Sequence, residues 1–226
     1  MEKILPNLKK NLIYLSMMIA IPILNIAYGL LDNSSRGYYV LATRFDVQVP
    51  FIKVFILPYW IWYPFMIISL VYFCINYRCT YYKVLFTIIT GMISCYIVYF
   101  LFQTMVPRPS VYGRDILSDF IRITYKCDKP FNGFPSIHVL TTYVVMRGAM
   151  ESIKKDIKAK LCICIVGLLI ILATQFVKQH VILDLVAAII LGEIIYRFIA
   201  EYISKISFLC IRKFCKWFNI ENKLQA

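Results

Sequence analysis

Only two histidines occur in the 226 residues, His138 and His180. Each has neighbours that could make it reactive. Asp184 lies four residues beyond His180, so on a helix the two side chains share one face about one turn apart. A carboxylate that accepts the Nδ1–H of an imidazole fixes its tautomer and leaves Nε2 free to attack an electrophile. A purely structural pair closing a helix end would have the same spacing. His138 stands in Gly133-Phe134-Pro135-Ser136-Ile137-His138. Ser136, preceded by proline and followed by an apolar run, reads as a helix N-cap. A helix N-terminus offers free amide N–H groups and a positive dipole end, which suits a phosphate. His138, two residues into that helix, could pass a proton to a leaving oxygen. Arg108-Pro109 supplies a guanidinium able to grip phosphate oxygens with two N–H groups. Lys178, two residues before His180, adds a second cation.

The segments carrying these residues read as membrane spans. The chain is 61% hydrophobic and 16% charged, with a mean hydropathy of +0.71, which no ordinary soluble domain shows. No charge interrupts the stretches between Lys10 and Asp32, Lys53 and Arg78, or Lys83 and Arg108. Each exceeds the roughly 20 residues needed to cross a bilayer. Six spans are expected, at about 11–31, 53–76, 82–104, 136–150, 160–177 and 180–203. The fold class is therefore an all-α, multi-pass helical bundle, a single membrane domain over 1–226. The second span opens with Pro58-Tyr59-Trp60-Ile61-Trp62-Tyr63-Pro64, an interfacial aromatic belt. Glu193 and Arg197, four apart in the sixth, can neutralise each other. Asn33-Ser34-Ser35 is a glycosylation sequon, meaningful only in a eukaryotic secretory setting. The tail, 204–226, is basic and amphipathic and suits an anionic inner leaflet.

Basic residues set the orientation. Lys3, Lys9 and Lys10 precede the first span, and Arg78 and Lys83 flank the second loop. Arg147, Lys154, Lys155, Lys158 and Lys160 crowd the fourth, and Lys205, Arg212, Lys213 and Lys216 follow the sixth. With six spans all four groups share one side, so both termini are expected in the cytoplasm. The loop at 105–135 and the turn at 177–180 then face outward, carrying both histidines and Arg108 to one rim. The net charge of +13 is accounted for by topology, so nucleic acid is not an expected partner. The eight cysteines offer no outer disulfide pair, since only Cys127 falls in an outer loop, and Cys162 and Cys164 lack a zinc spacing. Cys210 and Cys215 lie just past the last span, where acylation is one reading and free thiols the plainer one.

Taken together, three short motifs resemble the signature of the type-2 phosphatidic acid phosphatase superfamily, relatives of vanadium haloperoxidases. They are Arg108-Pro109, Pro135-Ser136-Ile137-His138 and His180-Val181-Ile182-Leu183-Asp184. Order, spacing and membrane placement match over about 85–200. The resemblance implies that His180 forms a phosphohistidine, Asp184 orients it, and His138 protonates the leaving alcohol. It also implies that Arg108, Ser136, the Ile137 amide and Lys178 hold phosphoryl oxygens. No metal or cofactor is implied, because cations and dipoles supply the charge stabilisation. The chain departs from the family at two places. Leu101 stands where the first motif has lysine, and Ala173-Thr174 stand where the third has Ser-Arg; Lys178 is the candidate replacement. The Phe-Pro-Ser-x-His and Lys-Gln-His forms look more like the branch with inositol phosphotransferases.

Three functions follow from this resemblance. The first is a lipid phosphatase at the outer face of the plasma membrane, acting on a phosphatidate or prenyl diphosphate. The second is a head-group phosphotransferase with a lipid alcohol in place of water. The third is a non-catalytic membrane protein whose site has decayed. The partners expected for the first two are a phosphorylated lipid and the bilayer.

Overall fold

The structure is a computed structural model that describes residues 12, 14–32, 37–154 and 156–217, with side chains up to Lys205. The sequon, the first basic cluster, Lys155 and the side chains of the basic tail beyond Lys205, those of Cys210 and Cys215 included, lie outside the described residues.

All regular elements among the described residues are helical. A 3₁₀ turn (Met17–Ile19) leads into α1 (Ala20–Leu31). Then come α2 (Arg44–Gln48), α3 (Ile56–Asn76), α4 (Arg78–Leu101) and α5 (Ile116–Cys127). The chain continues with α6 (Ile137–Ser152), α7 (Ile157–Phe176) and α8 (Ile182–Trp217). Among the described residues four stretches are long and apolar enough to cross a membrane: Tyr14–Leu31, Lys53–Asn76, Arg78–Leu101 and Ile157–Phe176. Helix α6, with 16 residues, reaches only about 24 Å at about 1.5 Å per residue. Helix α8 carries Asp184, Glu193, Arg197 and Glu201 within its length.

The outward faces of these helices are apolar. Ile67, Ile68, Ile97, Leu101 and Phe198 all lie exposed, which a water-facing helix would not tolerate and a lipid-facing one requires. Inside, one apolar cluster joins Phe73, Leu85, Leu140, Val144, Ile170 and Tyr196, from five helices. Small residues set the closest crossings. A methyl group at Gly148 would clash with Val84 Cγ2, and one at Gly91 would meet Leu140 Cδ2 at 2.6 Å. Glu193 is shared by three partners. It accepts from Arg197 Nε at 2.6 Å, Arg147 Nε at 3.2 Å and the Tyr143 hydroxyl at 2.8 Å. The expected Glu193–Arg197 pairing is present, and α6 joins it.

Two short helices were not foreseen from hydropathy. Helix α2 stands between α1 and α3, opened by Thr43 and Asp46 in a reciprocal capping box. Helix α5 stands inside the long polar loop, with the Asp115 side chain accepting from the Ser118 amide. Helix α8 also runs past 204 to Trp217, so its backbone carries the basic tail on without a break.

Candidate active site

The chain segments 104–108, 128–136 and 177–184 converge at one end of the bundle. Thr104 holds the first two together, its Oγ1 accepting from the amides of Gly133 at 3.1 Å and Phe134 at 3.0 Å. Tyr99 on α4 donates to the Pro135 carbonyl at 2.6 Å. The Ser136 amide donates to the Asp184 carbonyl at 3.3 Å, tying the starts of α6 and α8. In the turn before α8, the Thr174 carbonyl receives the amides of Gln179 at 2.9 Å and His180 at 3.2 Å. Gln175 Nε2 donates to the His180 carbonyl at 3.1 Å.

This scaffold fixes His180. Its Nδ1 lies 3.2 Å from the Gly133 carbonyl oxygen and 3.3 Å from Asp184 Oδ2. Both neighbours can only accept, so the ring proton belongs on Nδ1 and the lone pair on Nε2. Asp184 is itself held by the Val181 amide, which donates to Oδ2 at 2.9 Å. His180 and Asp184 are both buried, at 8% and 1% exposure. The Gly133 carbonyl was not anticipated from spacing. Its residue has to be small: a Cβ there would meet Val106 Cγ2 at 2.9 Å and Asp184 Oδ2 at 3.2 Å.

His138 faces His180 with 5.8 Å between ring centroids. Its own ring is braced by Trp62 at 4.4 Å and Tyr59 at 4.9 Å, residues of the aromatic belt. Ser136 caps α6 with its hydroxyl, accepting from the Val139 amide at 3.3 Å. Ile137 follows at the start of that helix and lines the cavity described next.

Arg108 and Lys178 are engaged differently from expectation. The two terminal nitrogens of Arg108 serve the carbonyls of Tyr125, Asp128 and Lys129 and the side-chain oxygen of Gln179. Only Nε is left, buried and without a partner. The expected two-pronged grip on a phosphate is thus spent on the protein's own loop. The guanidinium also packs over the Tyr125 ring at 4.6 Å. Lys178 takes the left-handed conformation, φ 55°, and its ammonium donates to the carbonyl of Asp46 at 2.8 Å and to that of Val49. It braces the turn before α8 against α2, and neither Lys178 nor Arg108 lines the cavity at the histidines. Asp46 completes this brace, its Oδ1 accepting from the Ile182 amide at 2.7 Å and so capping α8. Burial pushes the Asp46 carboxyl up, but hydrogen bonds from Thr43 and Ile182 and the Lys178 charge outweigh it and hold it below its ordinary value. The two family departures lie elsewhere. Leu101 is 75% exposed on the outer face, and the buried Thr174 hydroxyl turns back to the Ile171 carbonyl at 2.7 Å.

A cavity of about 520 Å³ opens beside the two rings. Its lining includes His138 and His180, Tyr59 and Trp62 of α3, and Asp128 and Asn132 of the loop. Asp128 accepts from the Tyr28 hydroxyl at 2.7 Å and the Tyr59 hydroxyl at 3.1 Å. Neither Asp128 nor Asn132 belongs to a motif, and spacing alone held no signal for them. A second pocket of about 280 Å³, almost wholly apolar, adjoins the first through Asn25, Trp62 and Tyr63. Met18, Ile67 and Met92 line its far part.

Fold and site thus define a class: an all-α protein with membrane-spanning helices that holds a buried His–Asp pair facing a second histidine. The PAP2 superfamily profile matches residues 80–207, and the chain belongs to that superfamily. That membership makes it a phosphatase-type enzyme in the broad sense, acting on phosphate esters. No curated protein and no solved structure matches the chain.

Proposed function

We propose that this protein is a metal-independent membrane enzyme that transfers phosphoryl groups from a phosphorylated lipid through a phosphohistidine at His180. One observation carries the reading. The His180 ring presents Nε2 because Nδ1 is bracketed by two acceptors, and a second histidine faces it at 5.8 Å. A nucleophile and an acid–base partner at that separation can act on the two sides of one phosphorus. In the first step Nε2 attacks phosphorus, the bond to the lipid oxygen breaks, and protonated His138 gives that oxygen its proton. In the second an acceptor oxygen attacks the phosphohistidine, His138 takes its proton, and the N–P bond breaks. Asp184 steadies the positive charge that grows on His180. The Ile137 amide at the capped start of α6 is the donor for the phosphoryl oxygens, and Arg108 acts by holding the 125–129 loop and Gln179. Lys178 acts by positioning the turn.

The lipid character of the substrate is supported by the apolar pocket that continues from the cavity; it has the size and lining for the first part of a hydrocarbon chain. Six spans are the reading for the bundle, with α6 and α8 crossing beside the four apolar helices, termini inside and the site at the outer face of the plasma membrane. With water as acceptor the enzyme is a lipid phosphatase. With a lipid alcohol it is a head-group phosphotransferase, and the absence of the family's lysine and arginine at Leu101 and Thr174 favours this second reading. The test is turnover of lipid phosphates in mixed micelles by the purified chain, with and without an added lipid alcohol. Diacylglycerol formed by the wild type and not by His180→Ala supports the proposal. Equal turnover by both refutes it.

A further inference from the structure

The turn that carries His180 does not hold its own shape. Residues 177–181 lie outside any helix, and Lys178 takes φ 55°, a conformation that a residue with a Cβ keeps only where its surroundings impose it. Part of the support is local. The Thr174 carbonyl accepts from the His180 amide, and Gln175 Nε2 donates to the His180 carbonyl. The rest comes from far away in sequence. The Ile52 amide donates to the Phe176 carbonyl at 3.0 Å, and the Phe55 and Phe176 rings pack with centroids 4.5 Å apart. The Lys178 ammonium donates to the carbonyls of Asp46 and Val49. The Tyr125 hydroxyl donates to the Val177 carbonyl at 2.8 Å. Tyr125 apart, these distant partners belong to one segment, 46–55, which joins α2 to the start of α3.

Asp46 is where that segment grips hardest. Its Oδ2 accepts from the Thr43 amide and the Thr43 hydroxyl, both at 2.7 Å, which fixes the carboxylate on its own loop. Its Oδ1 is then aimed across 136 residues at the Ile182 amide, 2.7 Å away. Ile182 is the first residue of α8, so the carboxylate closes the positive end of that helix with a charge-assisted hydrogen bond. The start of α8 in turn decides where Asp184 stands, and Asp184 Oδ2 lies 3.3 Å from His180 Nδ1. One residue thus holds the turn on both sides of His180, through the Lys178 ammonium before it and the Ile182 amide after it. Asp46 does not line the cavity, and apart from His180 no residue of this brace lines the cavity or the apolar pocket. We propose that Asp46 is a positioning residue for phosphoryl transfer, which aims the His180 ring by capping α8 from outside. The role as stated rests on the phosphohistidine reading above. Without the carboxylate the Ile182 amide has no acceptor, and the ring is no longer confined between the Gly133 carbonyl and Asp184. A misplacement of about 1 Å at a reacting group costs on the order of 10²-fold in rate, while lipid binding, made elsewhere, is retained.

The test has two arms, both on the purified full chain in detergent micelles. Because the chain holds two histidines, ¹⁵N-labelled histidine gives a nitrogen NMR spectrum of two rings, provided that the affinity tag has none. In the wild type the His180 ring should show a single tautomer, with the proton on Nδ1 and Nε2 bare. In Asp46→Ala it should show both tautomers in exchange, with the His138 ring unchanged. The second arm follows label transfer from a ³²P-lipid to the protein by rapid quench. In Asp46→Ala the rate of labelling should fall by about 10–100-fold, while its amplitude and the KM stay within about twofold of wild type. Asp46→Asn, which keeps an oxygen able to accept from Ile182 but loses the charge, should fall between the two. A role confined to stability would do the opposite, lowering the amplitude as folded protein is lost and leaving the rate and the ring as they are; that result overturns the proposal. Should Asp46→Ala not fold, a wild-type ring and a wild-type rate in Asp46→Asn overturn it equally. If the wild type takes up no label, the phosphohistidine reading fails, and the NMR arm still decides whether Asp46 holds the His180 ring.

Discussion

Replacing Asp184 by Asn changes one charge and almost no volume, so its effect can be worked from the geometry. Oδ2 accepts from the Val181 amide at 2.9 Å and lies 3.3 Å from His180 Nδ1. Because both groups donate, the Asn oxygen must take that place. His180 then keeps an acceptor and its tautomer but loses the negative charge. A full positive charge on the ring at that distance would be worth about 5 kcal/mol at an effective dielectric of about 20. With about half the charge developed in the transition state, the loss is ~2.5 kcal/mol, on the order of 10²-fold in kcat. The new amide N–H₂ replaces Oδ1, which is buried and has no partner, so stability falls by about 1–3 kcal/mol. Turnover and thermal melting in detergent separate the two effects. A well-folded Asp184→Asn enzyme with kcat within about threefold of wild type would refute the claim that Asp184 stabilises charge on His180.

Four further outcomes are expected. His138→Ala should cost 10²–10⁴-fold on alkyl phosphate esters, yet much less on nitrophenyl esters, whose leaving group needs no proton; equal losses on both would remove His138 as the acid. Gly133→Ala sets a methyl 3.2 Å from Asp184 Oδ2 and 2.9 Å from Val106, so kcat should fall by about 10–100-fold and stability by about 1–3 kcal/mol, read by kinetics and melting. Asp46 titrates below its ordinary value of 3.8 in the folded chain. Its stabilisation is therefore present above that pH and lost as pH falls through and below it; the melting temperature of Asp46→Asn should fall less steeply with acidification than that of wild type. Ile67→Trp, which fills part of the apolar pocket, should raise KM for long-chain lipids and leave short-chain analogues nearly unchanged.

The three motifs were legible because their residue types are costly in a membrane. Asp184 in an apolar run needs a partner, and His180 stands at helical spacing from it. The Ser136 cap was legible for the same local reason. What spacing could not supply was anything that depends on chains meeting from far apart in sequence. The Gly133 carbonyl reaches His180 across 47 residues, and Asp46 caps Ile182 across 136. Tyr28 and Asp128 pair across 100. The Thr43–Asp46 capping box has a local sequence signature, a threonine with a carboxylate three residues on. Lys178 illustrates the converse. Its position in sequence suggests a phosphate ligand, while its backbone is left-handed and its ammonium goes to the carbonyls of Asp46 and Val49, about 130 residues away in sequence. Four apolar helices announced themselves by composition, whereas α6 is short and α8 is broken by charge, so their apolar runs are the weaker membrane signals.

The central claim is a covalent bond between phosphorus and His180. A lipid substrate labelled with ³²P at the phosphate, mixed with the purified chain and quenched in alkali within the first turnover, tests it directly. The account predicts a protein-bound label that survives alkali, is lost in acid, and maps to the peptide containing His180; it should be absent from His180→Ala. A label on another residue, or turnover with no label at all under conditions that trap the first step, would contradict it.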